Sequence, residues 1–160
     1  MPHLVRRFFG SLRPGGPAAV DEAWARSHLL AGEQELWARM SGADRRHAAG
    51  VARRVVADLG ATASRPVVAA ALLHDSGKVA SGLGTFARVG ATLVGAAVGR
   101  DRPGGRVGRY LRHPQLGAAL LAEAGSDPLT VAWAAEHHLP PVGWTLPPEL
   151  ARALSAADDD

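Results

Sequence analysis

The sequence predicts an all-α fold of about six to eight helices in a single compact domain, and three observations carry that prediction. Alanine occurs 32 times and aromatic residues make up 5% of the 160-residue chain, a balance that favours helix over sheet. No segment sustains the polar/apolar alternation of a strand. Apolar residues instead recur at helical spacing between Gly and Pro breakers. A chain of this length suits one domain around one core.

The elements follow in order. Residues 1–17 are basic and end in Pro14-Gly15-Gly16-Pro17. They are expected to form a flexible arm, with an amphipathic membrane-touching segment as the alternative. The helical domain is expected over 18–160. Asp21 to Met40 reads as helix with a break near Gly32, and Ser41-Gly42 ends it. Ala43 to Leu59 follows, with His47, Val51, Val55 and Leu59 in one stripe at spacings of four and Gly60 as a stop. Pro66 to His74 is apolar on every side and therefore central. Residues 80–108 are rich in glycine. Within them Phe86 to Val98 reads as a small-residue helix and Arg100 to Gly108 as a loop. A short helix over Arg106 to His113 leads to Pro114 to Ala124, which has Pro in its first turn. Gly125 to Pro128 forms a turn, Leu129 to His138 the next helix, and Pro147-Pro148 open the last one, Glu149 to about Asp158.

Composition excludes several kinds of site. With no cysteine there is no disulfide, no thiolate zinc site and no iron–sulfur cluster. Any metal must be held by His and carboxylate. Net charge is +3. Arginine clusters at Arg6–Arg7, Arg45–Arg46, Arg53–Arg54 and between Arg100 and Arg112, but acidic residues are interspersed and no nucleic-acid motif accompanies them. No secretory signal is recognisable and the longest apolar stretch, Val89 to Val98, is too short to span a bilayer. A soluble cytoplasmic protein is the expectation. The chain has a single lysine, Lys78. An Arg-rich coding background accounts for the shortage but not for this one position.

Five of the seven histidines fall in interior or helix-end positions: His47, His74, His113, His137 and His138. Metal sites in helical bundles are built from side chains that project inward from facing helices. His47 lies in an apolar stripe. His74 and Asp75 close the most buried helix, where a bare carboxylate would be costly without a cation beside it. Asp158 follows Leu150 and Leu154 at spacings of four on the apolar face of the last helix, with Asp159 and Asp160 as neighbouring candidates.

His47, then Ala71-Leu72-Leu73-His74-Asp75-Ser76-Gly77-Lys78, then Asp158, resembles the HD-domain metal-dependent phosphohydrolases. His113-Pro114 with Gly117 downstream, and His137-His138, resemble the additional ligands of two-metal members. The resemblance spans residues 43–158. The HD-GYP branch carries a Gly-Tyr-Pro stretch after its paired histidines. Here Leu139-Pro140-Pro141-Val142-Gly143-Trp144 stands instead, which argues against cyclic di-GMP as substrate.

The resemblance implies one divalent ion on His47, His74, Asp75 and Asp158, and a second that shares Asp75 and takes His113, His137 and His138. Imidazole and carboxylate suit Mn²⁺, Fe²⁺ or Zn²⁺ without selecting one. The implied activity is hydrolysis of a phosphate ester or anhydride, of a nucleotide or related metabolite, by metal-activated water. Asp75 and Lys78 are the candidate catalytic residues, Lys78 as a compact ammonium within reach of a phosphate oxygen. Arg45, Arg46 and the Arg100–Arg112 set are further candidate phosphate contacts. The alternative is a non-catalytic HD module that binds metal or nucleotide or docks a partner.

Overall fold

The computed structural model describes residues 15–80, 82, 91 and 104–159. Among the described residues there are eight α-helices and no strand. They are α1 (Ala19–Ser27), α2 (Ala31–Arg39), α3 (Gly42–Leu59), α4 (Arg65–Leu73), α5 (Gly105–Leu111), α6 (His113–Glu123), α7 (Pro128–Glu136) and α8 (Pro148–Asp159). Short 3₁₀ turns occupy Gly60–Thr62, Ser76–Ala80 and Pro141–Gly143.

The core is built around α4. Val67 to Leu73 are all buried at 1% exposure or less, as an all-round apolar helix requires. Burying each of its Val and Leu side chains contributes about 1.5–3 kcal/mol. Ala69, Ala70 and Ala71 leave room for neighbouring backbones. Helices α3 and α7 pack against α4, α8 packs on α3, and α6 packs on α7. The Thr130 hydroxyl of α7 donates to the Pro66 carbonyl at 3.1 Å, tying the two helices where α4 begins. Trp37 is fully buried under α2 and its indole N–H donates to Glu22 at 2.9 Å.

Local chemistry sets the helix ends. The Ser41 hydroxyl accepts from the Asp44 amide and caps α3; the Asp127 carboxylate accepts from the Leu129 amide and caps α7, the two oxygen caps a helix N-terminus favours. Gly125, at φ +74°, follows the end of α6.

Three boundaries differ from the sequence expectation. The first helix breaks at Leu30, whose backbone is extended, and not at Gly32. Glu33 reaches back to the Leu30 amide at 2.8 Å and starts α2 there. Gly32 stays helical because a Cβ on it would meet the Ala124 carbonyl oxygen at 2.5 Å, so it serves close packing. Helix α5 begins at Gly105, one residue before the expected Arg106, and ends at Leu111, two residues short of the expected His113. In the expected arm, Gly15 lies against the start of α3, its carbonyl accepting from Arg46. The expected helix over Phe86 to Val98, and residues 1–14 of the arm, lie outside the described residues.

Candidate metal centre

Helix ends bring the predicted ligands together. His74 caps α4 and Asp75 follows it. His113 opens α6. His137 and His138 follow the last residue of α7. Asp158 lies in the last turn of α8. His47, inside α3, meets Asp158 across the helix pair, Nε2 to Oδ1 at 2.8 Å.

Two groups result. Asp75, His113, His137 and His138 form one; His47, His74 and Asp158 form the other, and within each the ligating atoms lie within 4.8 Å of one another. Asp75 stands between them. Its Oδ1 lies 3.2 Å from His113 Nε2 and 3.8 Å from His137 Nε2; its Oδ2 lies 3.5 Å from His74 Nε2. Asp158 Oδ1 is also 3.5 Å from His74 Nε2. Of Asp158 and Asp159, Asp158 is the one brought to the cluster, while Asp159 is exposed and, with Asp158, lines a small cavity beside it. Val51, Trp133 and Leu154 form the apolar wall of that cavity.

Three rings are aimed in the same way. Nδ1 of His74, His113 and His137 is held by the carbonyl three residues earlier: Ala71, Tyr110 and Ala134, at 2.8 to 2.9 Å. A carbonyl only accepts, so Nδ1 must carry the proton and Nε2 is the nitrogen turned to the cluster. All three Nε2 atoms are buried and have no hydrogen-bond partner. The 3.5 Å approaches of His74 to carboxylate are ion pairs, too long for a well-made hydrogen bond. Buried polar atoms without partners are uncommon. Three of them converging beside two carboxylates fit a cation.

The electrostatics agree. Burial works to lower the His74 pKa, but the Asp75 and Asp158 charges outweigh it and push the pKa up to about 10. Burial works to raise the Asp75 pKa. Lys78 and His74 outweigh it and hold the carboxyl well below the usual range. Burial, and then the positive His74, push His137 down to about 2, which leaves its lone pair available at ordinary pH. Burial works against the Lys78 charge, but Asp75 outweighs it and raises its pKa, with Asp44 and Tyr110 adding to the effect.

Lys78 donates to Asp75 Oδ2. The arginines expected at phosphate have protein partners: Arg45 pairs with Glu22 at 3.1 Å, Arg106 donates to the Gly82 carbonyl and Arg109 to the Ala80 carbonyl. Arg100 and Arg102 lie outside the described residues.

Two supports of the site carry weak sequence signals. The 3₁₀ turn after Asp75 sits directly on the start of α6. A Cβ on Gly77 would overlap the His113 carbonyl oxygen and lie 2.6 Å from the Gly117 nitrogen, and a Cβ on Gly117 would lie 3.0 Å from the Gly77 nitrogen. Paired glycines thus let Asp75 and His113 approach. On the other side, buried Glu136 accepts from both the Thr145 amide, at 2.7 Å, and the Thr145 hydroxyl, at 2.6 Å. That clamp closes the loop that begins with His137-His138, and Trp144 packs edge-on against Trp133 within it.

Fold and site together define an all-helical protein with a buried His/Asp cluster at its centre. A family model for the HD domain matches residues 45–159, a span that contains all seven candidate ligands. The chain belongs to the HD-domain family, whose superfamily is that of the metal-dependent phosphohydrolases. HD domains bind divalent metals, and both His/Asp groups here are able to hold an ion. No curated protein and no solved structure matches the chain. Among the described residues no helix is long and apolar enough to cross a membrane.

Proposed function

We propose that this protein is a metal-dependent phosphohydrolase that cleaves a phosphate ester or anhydride of a nucleotide or related metabolite. The observation that carries the proposal is the set of three buried Nε2 atoms, each oriented by a backbone carbonyl and none hydrogen-bonded, around Asp75 and Asp158. Asp75, His113, His137 and His138 would hold one divalent ion. His47, His74 and Asp158 would hold the other, with Asp75 Oδ2 facing His74 as the shared carboxylate. Such ions supply Lewis acidity and a water nucleophile near neutral pH.

The chain's own residues do the rest. The carbonyl locks keep three imidazoles in the ligating tautomer, so little reorganisation accompanies binding. His137 stays neutral and therefore competent. Val51, Trp133 and Leu154 form the apolar part of a cavity that His74, His137, His138 and Asp158 also line. Lys78 neutralises Asp75 and is the cation nearest it to meet a phosphate oxygen.

The test is hydrolysis of a generic aryl phosphodiester and a nucleotide panel with Mn²⁺, Fe²⁺ or Zn²⁺, wild type against Asp75→Ala. Turnover that disappears in the variant is expected. A folded wild-type protein that binds metal yet turns over no substrate would make the chain a non-catalytic HD module.

A further inference from the structure

Arg54 is one of seventeen arginines and nothing in its sequence context singles it out. In the structure both its Nε and its Nη2 donate to one acceptor, the Ala157 carbonyl, at 2.9 and 2.8 Å. That carbonyl belongs to the last turn of α8, where backbone acceptors have no partner within the helix and a cation is favoured by the helix dipole. The next residue is Asp158. Arg54 lies seven residues after His47, two turns along the same face of α3. Helix α3 therefore grips the end of α8 twice: His47 on the Asp158 carboxylate, Arg54 on the backbone one residue earlier.

The need for the second grip follows from the sequence. Helix ends fray, and the last two residues of α8 are Asp158 and Asp159. Adjacent residues on a helix point about 100° apart, so a small unwinding of the last turn would offer Asp159 to the cluster or withdraw Asp158 from it. A guanidinium fork on a single carbonyl fixes both the position and the rotation of that turn. The ligating row is also fixed by Leu154, one turn before Asp158 and buried at 1%, but Leu154 secures only the preceding turn.

We infer that Arg54 is a positioning residue that holds the final turn of α8 in register, so that Asp158 and not its neighbours ligates the ion shared with His47 and His74. The inference rests on the metal-site assignment above.

Calorimetric titration with Mn²⁺ or Zn²⁺ tests it without recourse to turnover. The variants are Arg54→Gln, Arg54→Lys, Asp158→Asn, Asp159→Asn and the Arg54→Gln/Asp158→Asn double variant. Supporting residues of metal ligands typically change affinity about 10–100-fold. Arg54→Gln is expected to weaken one of two binding events in that range and leave the other unchanged. Arg54→Lys, which keeps the charge but not the fork, should recover part of the loss. Asp159→Asn should bind as wild type. The double variant should bind no more weakly than Asp158→Asn, because Arg54 acts through Asp158; a merely structural contribution would add. Additive losses, or Arg54→Gln and Arg54→Lys both binding as wild type while Asp158→Asn does not, overturn the inference alone. If Asp158→Asn itself binds both ions as wild type, the metal-site assignment falls and takes the inference with it.

Discussion

Replacing Gly77 by alanine adds a single methyl group at the closest backbone approach of the site. The new Cβ would lie 2.6 Å from the Gly117 nitrogen and closer still to the His113 carbonyl oxygen. Real Cβ atoms essentially never come within 3.0 Å of a non-bonded heavy atom. Opening the nitrogen contact alone takes the difference, 0.4 Å, and the oxygen demands more. Both partners are backbone, so no flexible side chain can give way. The 3₁₀ turn has to lift off α6, and with it goes Asp75, two residues upstream. The atom it lifts away from is His113's own carbonyl, so the 3.2 Å approach of Asp75 Oδ1 to His113 Nε2 opens directly.

Overpacking of this kind costs about 1–3 kcal/mol. For a domain of this size each kcal/mol lowers Tm by about 2–4 °C, so Gly77→Ala should melt about 2–12 °C below wild type. Circular dichroism melts on chelator-treated protein measure that loss, and metal titration measures the weakened ion at Asp75 and His113. Gly50→Ala is the matched control. Gly50 lies inside α3, and its nearest neighbour for a Cβ is the Arg54 Nη1 at an ordinary 3.5 Å. Removing a mid-helix glycine without a clash should stabilise by about 0.5–1 kcal/mol. The two substitutions are chemically identical and should have opposite signs. A Gly77→Ala protein with wild-type Tm and wild-type metal binding would refute the close-approach argument.

Three further outcomes are expected. His113→Ala should bind one ion per chain where wild type binds two, as read by native mass spectrometry; two ions retained would dissolve the assignment of His113. Lys78→Ala should keep its metal and lose phosphate turnover, so that loss of metal in this variant would make Lys78 a structural partner of Asp75 only. For pH, His74 is raised from 6.5 to about 10, so in metal-free protein its contribution to stability is complete below about pH 6.5 and is lost as pH rises through 10. Asp75 is shifted the opposite way from 3.8, so its contribution is present above that value and is lost in acid. Metal must displace the His74 proton, and affinity should therefore rise by about tenfold per pH unit between pH 7 and 9; an affinity flat across that range would contradict it.

The candidate ligands were legible because each carries a chemical mark in a position that a sequence exposes. His47 interrupts an apolar stripe, and His74-Asp75 close a helix with no polar face. Such residues conflict with their surroundings unless something compensates them, and the conflict is visible without a structure. The supports are different in kind. Gly77 and Gly117 meet backbone to backbone although they lie 40 positions apart in the chain, and each glycine alone reads as a breaker. Gly32 was expected to interrupt a helix and instead packs against Ala124, because a missing Cβ serves turns and close contacts equally well. Arg54 binds a carbonyl, a group every residue possesses, so its partner leaves no mark. Asp158 and Asp159 were told apart as candidates only by the rotation of α8.

The side-chain charges explain how such a cluster folds before any ion enters it. Asp75 and Asp158 bring two negative charges into a site where an uncompensated carboxylate is costly. Lys78 answers one, and His74, protonated by its carboxylate neighbours, answers the other. A further positive charge is then excluded, which is why burial and His74 together force His137 neutral. With those pairings made, three buried ring nitrogens still have no hydrogen-bond partner. One of those nitrogens, on His74, holds a proton that must leave before that ring can ligate. Exchange of that proton for a divalent ion would leave surplus positive charge beside Asp75, which the anionic substrate proposed above would offset. The same electrostatics that let the apo chain fold thus favour ion and anionic substrate together, with Lys78 beside the point where they would meet.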